Sequence, residues 1–226
     1  MARRADSDFM LLDLIENPAM NPNISVYYLG WDRTSSSATS GVCIHHPKGA
    51  QKKISVTTNS INNYSSTICW GLNCSQGTSP ANTHWKVDFT NGTAEGGSSG
   101  SPMLNQNRRV IGQLHGGGSD CPPDVIKVYG RLDVSWDGGE TSTTRLKDWL
   151  DPQNIGAITV DGKCGSVVNF HNQTINNTQT IEGCEVNVQG VTINSGANVT
   201  ITGYHGVEIN SMEVAVGASV EINGRE

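Results

Sequence analysis

Aromatic residues are scarce in this chain, 6% of it, and charged residues make up only 16%. So few flat side chains cannot build a stacking platform for nucleic-acid bases, and a net charge of −6 with no basic stripe opposes a phosphate backbone as partner. No apolar run approaches the roughly 20 residues that a membrane-spanning helix needs. Cys69 and Cys74 stand five positions apart, wider than a CxxC pair and without a matching His/Cys pair nearby, which argues against a zinc or redox motif. Nothing in the sequence calls for a metal or any other cofactor. The opening Met1-Ala2-Arg3-Arg4-Ala5-Asp6 carries charge, but the apolar run after it is broken by Asp13, so it does not read as a secretory signal.

What is abundant is glycine, 26 residues, together with Asn, Ser and Thr. That mixture suits many short strands joined by polar turns, and the expected fold class is all-β. Six cysteines, at 43, 69, 74, 121, 164 and 184, in a chain with little Lys or Glu fit an oxidising compartment, so an extracellular or cell-surface location is expected. Their pairing stays open among about fifteen connectivities.

Along the chain, Asp8–Ile15 reads as a buried strand opened by an acid, and Val26–Trp31 as a second strand. Gly41–His46 and Lys52–Thr58 read as a pair around the Pro47-Lys48-Gly49 turn. Ser66–Gly71, His84–Phe89, Arg109–Leu114 and Val125–Val134 continue the β pattern. One helix is expected, Thr143–Leu150, capped by Thr141 or Ser142 and stopped by Asp151-Pro152. From Lys163 on, Asn, Thr, Val and Ile alternate and a 21-residue echo emerges. Val186 and Val188 recur as Val207 and Ile209, and Gly196-Ala197-x-Val199-x-Ile201 recurs as Gly217-Ala218-x-Val220-x-Ile222. A fixed period with strand alternation predicts stacked β coils. The expected organisation is one domain over 1–161 and a repeat β module over 162–226.

The chemistry centres on Gly96-Gly97-Ser98-Ser99-Gly100-Ser101-Pro102. Closely spaced glycines permit backbone angles barred to other residues and can aim successive N–H groups at one point, as an oxyanion requires. The alternative is a Gly/Ser surface turn. A serine nucleophile needs a base, usually a His held by a carboxylate. Asp8, at the head of Phe9-Met10-Leu11-Leu12, is the carboxylate candidate; read by itself it is better explained as a strand-capping acid in a turn.

Several segments, in order, resemble the second half of a trypsin-like serine endopeptidase, most closely the bacterial secreted lysyl endopeptidase family. They are Ser7-Asp8-Phe9-Met10-Leu11-Leu12-Asp13-Leu14, Gly30-Trp31-Asp32-Arg33, Cys43-Ile44-His45-His46-Pro47 and Lys53-Ile54-Ser55. Gly97-Ser98-Ser99-Gly100-Ser101-Pro102, Gly112-Gln113-Leu114-His115-Gly116-Gly117, Tyr129-Gly130-Arg131 and Arg145-Leu146-Lys147-Asp148-Trp149-Leu150-Asp151-Pro152 follow. The resemblance implies the C-terminal half of a double β-barrel. It implies Asp8 as the triad carboxylate, Ser99 as the nucleophile, and the N–H groups of Gly97 and Ser99 as the oxyanion hole. It places Trp70, His115, Gly116 and Gly117 around the specificity pocket, with a polypeptide as substrate.

Two departures from the family pattern stand out. The triad histidine lies several tens of residues before the Asp in these enzymes, whereas only seven residues precede Asp8 here and none is His. His45 and His46 belong to a segment the family carries beside its catalytic His, and a structural role is expected for them. The resemblance therefore implies an N-terminally truncated piece of an exported endopeptidase, with little or no activity alone. Secondly, the acidic residue that sets lysine specificity, two positions before Tyr-Gly-Arg, is Lys127 here; Asp120 or Asp124 would supply an acid if that loop threads differently. The competing readings are a non-catalytic peptidase-like binding protein attached to a surface through its C-terminal module, and an adhesion or carbohydrate-binding module.

Overall fold

Val, Ile and Thr alternate with polar residues through residues 41–57, and there a computed structural model forms a hairpin. Strands β1 (Gly41–His45) and β2 (Lys53–Thr57) pair antiparallel, Gly41 opposite Thr57 and His45 opposite Lys53. The structure describes residues 1–21, 24–118 and 126–224. The sheet continues through β3 (Asn62–Asn63), β4 (His84–Val87), β5 (Pro102–Asn105), β6 (Val110–Gly117) and β7 (Lys127–Arg131). Among the described residues the strand order is β2-β1-β5-β6-β7-β4-β3, with Trp31–Asp32 beside β6 and Thr159–Val160 beside Trp31–Asp32. One face of this curled sheet buries Ile61, Trp85, Val87, Met103, Leu114 and Tyr129. The fold is all-β.

This sheet belongs to the first of two compact units, Met1–Asp13 with Leu29–Gly162; the second is Leu14–Tyr28 with Lys163–Glu226. In the second unit the 21-residue echo becomes parallel register. Strands β8 (Val167–His171), β9 (Gln179–Gln189), β10 (Asn198–Ile209) and β11 (Ser219–Gly224) stack side by side, Val186 on Val207, Ile201 on Ile222. A second sheet of Thr174–Ile175, Val191–Ile193 and Met212–Val214 closes each coil. Gly196 and Gly217 occupy equivalent turns at φ +83° and +87°, a left-handed conformation that favours glycine. The inward row Val186, Val188, Val191, Ile193, Val199 and Ile201 is at most 2% exposed. Ile201→Ala is expected to cost this unit about 2–5 kcal/mol, because neighbouring coils fixed by register cannot close the cavity. Thermal unfolding followed by circular dichroism should show the coil transition lowered and that of the first unit unmoved.

Three expectations need correction. Only Phe9–Met10 of the 8–15 run forms a strand, paired with Arg3–Arg4, and Leu12, Leu14 and Ile15 are 70%, 68% and 103% exposed. Phe9 of the run is buried in the core beside Ala2, Leu132, Trp136 and Leu146, with Leu11 half-buried against it. The helix forecast at Thr143–Leu150 contracts to α2 (Lys147–Leu150), with Leu146 rather than Thr141 or Ser142 at its start. The Thr144 hydroxyl instead donates to the Thr141 carbonyl, and the Thr143 carbonyl accepts from Arg3 N–H, so these threonines serve a turn. An additional helix, α1 (Leu132–Asp137), follows β7 directly where a continuing strand was expected.

Candidate active site

The glycine–serine loop leads into β5. Gly97 and Gly100 take φ +92° and +82°, so both stand where other residues are strained. Ser98 points inward, 2% exposed, and Ser99 outward into solvent. Along the loop the backbone N–H groups alternate between bonded and unspent, and Ser98 N–H donates to the Glu95 carbonyl at 3.0 Å. Gly96 carbonyl accepts Lys48 N–H at 2.7 Å, and Ser98 carbonyl accepts Ser101 N–H at 3.1 Å. Gly100 N–H donates to the Leu114 carbonyl at 2.8 Å, tying the loop to β6. A trans peptide points its N–H opposite to its C=O. With the Gly96 and Ser98 carbonyls engaged by Lys48 and Ser101 N–H, the N–H groups of Gly97 and Ser99 point away from those bonds. Neither has an acceptor among the described residues.

Asp8 is placed by the sheet. Gln113 Nε2, on β6, donates to the carbonyls of Ser7 (2.7 Å) and Asp8 (3.0 Å). Ser7 is fully buried and its hydroxyl is bonded to Ser135 at 2.8 Å. Gly130 opposite makes this possible, since a Cβ there would fall inside the Ser7 carbonyl oxygen. Asp8 itself takes φ 50° and directs its carboxylate to His115, Oδ2 to Nε2 at 3.7 Å.

His115 reaches Asp8 because β6 carries a bulge. Leu114 pairs with Tyr129 and Gly116 with Val128, leaving His115 out of register. Its ring stacks on Trp70 at 3.8 Å between centroids, 29° from parallel. Gly116 permits the stack, since a Cβ there would press on the Trp70 ring at 2.9 Å. Trp70 is anchored through Nε1 to Ser79 Oγ at 2.9 Å, and a Cys69–Cys74 disulfide closes its loop.

Behind His115 lies a residue the sequence did not single out. His84 is fully buried, its Nε2 is 2.9 Å from His115 Nδ1, and its Nδ1 is 2.8 Å from Thr83 Oγ. Thr83 gives its only hydroxyl proton to the Pro80 carbonyl at 2.7 Å. It must then accept from His84 Nδ1–H, and His84 Nε2 must accept from His115 Nδ1–H. His115 Nε2 is left facing Asp8, so that contact becomes an ion pair only when His115 takes a second proton. Burial pulls His115 below its ordinary range, against the pull of Asp8. A lone His between Thr83 and Trp85 in a strand gave no sign of this.

Burial first, and the His115 charge second, bring His84 down to about 4. His84 is thus neutral in the fold, while in the unfolded chain it takes a proton from its ordinary 6.5 downward. The stability it contributes is complete above that value and is lost as pH falls towards about 4, at about 1.4 kcal/mol per pH unit. Melting temperature measured across that interval should fall with this slope, and His84→Gln should flatten it.

The remaining sequence candidates stand around this rim. Gly117, at φ +149°, pairs with Lys127 across β6 and β7. Lys127 is 2% exposed and its ammonium donates to the Gly118 carbonyl. Asp120, Asp124 and Cys121 lie outside the described residues. The structure brings Asp8, His115, Trp70 and Gly116 together; no bond joins them to the Ser99 side chain. His45 is spent on Ser98 and Ser55, and His46 on the Ala50 carbonyl.

An outward serine on a glycine-bounded loop and an acid–histidine contact thus stand on one all-β scaffold. Residues 1–129 match the family model described as lysyl endopeptidase, C-terminal domain. The chain belongs to that family. Disulfides Cys69–Cys74 and Cys164–Cys184 fit an oxidising compartment. Among the described residues, no helix is long and apolar enough to cross a membrane.

Proposed function

We propose that this chain carries the nucleophile half of an exported serine endopeptidase, acting on polypeptides through an acyl-enzyme on Ser99. Gly97 and Ser99 N–H supply the oxyanion hole, and Asp8 is the triad carboxylate. The observation that carries this reading is the alternation of bonds in the loop, which leaves those two N–H groups unspent beside an outward hydroxyl. The base comes from outside the 226 residues. His115 has Nδ1 committed to His84 and Nε2 turned to Asp8, and His45 has both nitrogens committed. Without a base the chain by itself has almost no activity. Trp70, His115, Gly116 and Gly117 border the pocket for the substrate side chain, with Lys127 behind it. The peptidase module ends near residue 161, and the coils beyond it serve attachment to a surface.

Ser99 is solvent-exposed, so a free base in solution can reach it. Imidazole added to the chain should raise hydrolysis of a fluorogenic peptide mixture in proportion to its concentration, and Ser99→Ala should abolish the increment. An imidazole-dependent rate that survives Ser99→Ala would overturn the assignment. No increment at all would favour the non-catalytic binding reading.

A further inference from the structure

We propose that His45 is a positioning residue for the Ser99 loop, holding the neighbouring Ser98 hydroxyl through its neutral, Nε2-protonated ring. This rests on reading Ser99 as the nucleophile. His45 ends β1 and is 3% exposed; Ser98 and Ser55 are 2% and 1% exposed. Its Nδ1 lies 2.8 Å from Ser98 Oγ and its Nε2 3.0 Å from Ser55 Oγ. Ser55 donates its hydroxyl proton to the Thr93 carbonyl at 2.9 Å. It can therefore only accept from His45, which places the ring proton on Nε2 and leaves Nδ1 bare to accept from Ser98 O–H. The chain of donors runs one way, from the loop into the sheet, and ends on a backbone carbonyl.

The consequence falls on the peptide unit between Ser98 and Ser99. The His45 bond anchors Ser98 in the sheet while the Ser98 carbonyl accepts from Ser101 N–H; with both held, peptide planarity sets the direction of the opposed Ser99 N–H. His45 thus orients one of the two oxyanion donors without touching substrate. The titratable neighbours are His46 and Glu95, the latter paired with Lys48 at 2.8 Å. Burial is the largest influence on His45 and lowers its proton affinity, in keeping with a ring held neutral.

The test uses the whole chain labelled with nitrogen-15, and Ser98→Ala, a variant that only trims a hydroxyl. At pH 7 the wild-type His45 Nδ1 should resonate as an unprotonated acceptor and Nε2 as a protonated nitrogen. Ser98→Ala should shift the Nδ1 signal and speed exchange of the Ser101 amide by roughly fivefold to tenfold, the equivalent of one hydrogen bond. It should also slow imidazole-assisted phosphonylation of Ser99 about tenfold with the Asp8–His115 signals unmoved. A proton on Nδ1, or a Ser101 amide that exchanges within about twofold of wild type in the variant, overturns the proposal. Failure of the peptidase reading is distinguishable: Ser99 would then not react even in the wild type, while the His45 resonances and Ser101 exchange would still decide the positioning role.

Discussion

Gly130→Ala is expected to lower the melting midpoint of the first unit by about 10 °C and to release Asp8 from His115. The added methyl would occupy the space of the Ser7 carbonyl oxygen, with Gln113 Nε2 also in the way. Both obstacles are fixed. Ser7 is fully buried and bonded to Ser135, and Gln113 sits in register between Gly130 and Pro102. Overpacking against backbone costs about 3 kcal/mol. The cheapest escape is for the Ser7–Asp8 segment to lift from the sheet, breaking both Gln113 bonds. Differential scanning calorimetry measures the first effect; loss of the Asp8 influence on the His115 titration, followed by nuclear magnetic resonance, measures the second. Gly49→Ala, where a Cβ meets nothing within 4 Å but φ is +70°, is the comparison for left-handed strain without a clash.

A larger effect is expected on rate. Without added imidazole, peptide hydrolysis by this chain should fall about 10⁶-fold below that of a complete Ser–His–Asp site, and Ser99→Ala should leave the residue of activity unchanged within about twofold. Triad members act as a unit, so once the base is missing, removing the nucleophile costs little more. The comparison is made by fluorogenic peptide turnover on wild type and variant purified side by side. A wild-type chain that turns over at an ordinary peptidase rate, sensitive to Ser99→Ala, would mean that one of its own six histidines reaches the serine.

The coil register was legible in the sequence, because a 21-residue echo of inward Val and Ile has one physical meaning when each coil must cover the next. The β1–β2 hairpin was legible for a similar reason: alternation on both sides of a Pro-Lys-Gly turn. The 8–15 run was not. Six apolar residues and two acids read as buried, but the strand ends at Met10, and from Leu14 the chain belongs to the other unit, where Tyr27–Tyr28 pairs with Lys163–Cys164. Hydrophobicity reports an average preference, and this partition depends on pairings far apart in sequence.

At the site, the glycine spacing announced the loop, and family resemblance named Asp8, Trp70 and His115. The proton order did not follow from either. It depends on Thr83 and Ser55, ordinary hydroxyls whose single protons are given to carbonyls and thereby set the tautomers of His84 and His45. No residue pattern encodes which way a hydroxyl points; only the carbonyls of Pro80 and Thr93, brought near by the fold, decide it.

Mass mapping of a fluorophosphonate adduct tests the nucleophile most directly. Treated with the probe in the presence of imidazole and then digested, the chain should carry the phosphonyl group on Ser99 and on neither Ser98 nor Ser101, with no adduct in Ser99→Ala. An adduct on Ser98 or Ser101, or one spread over exposed serines at similar rates, would contradict it.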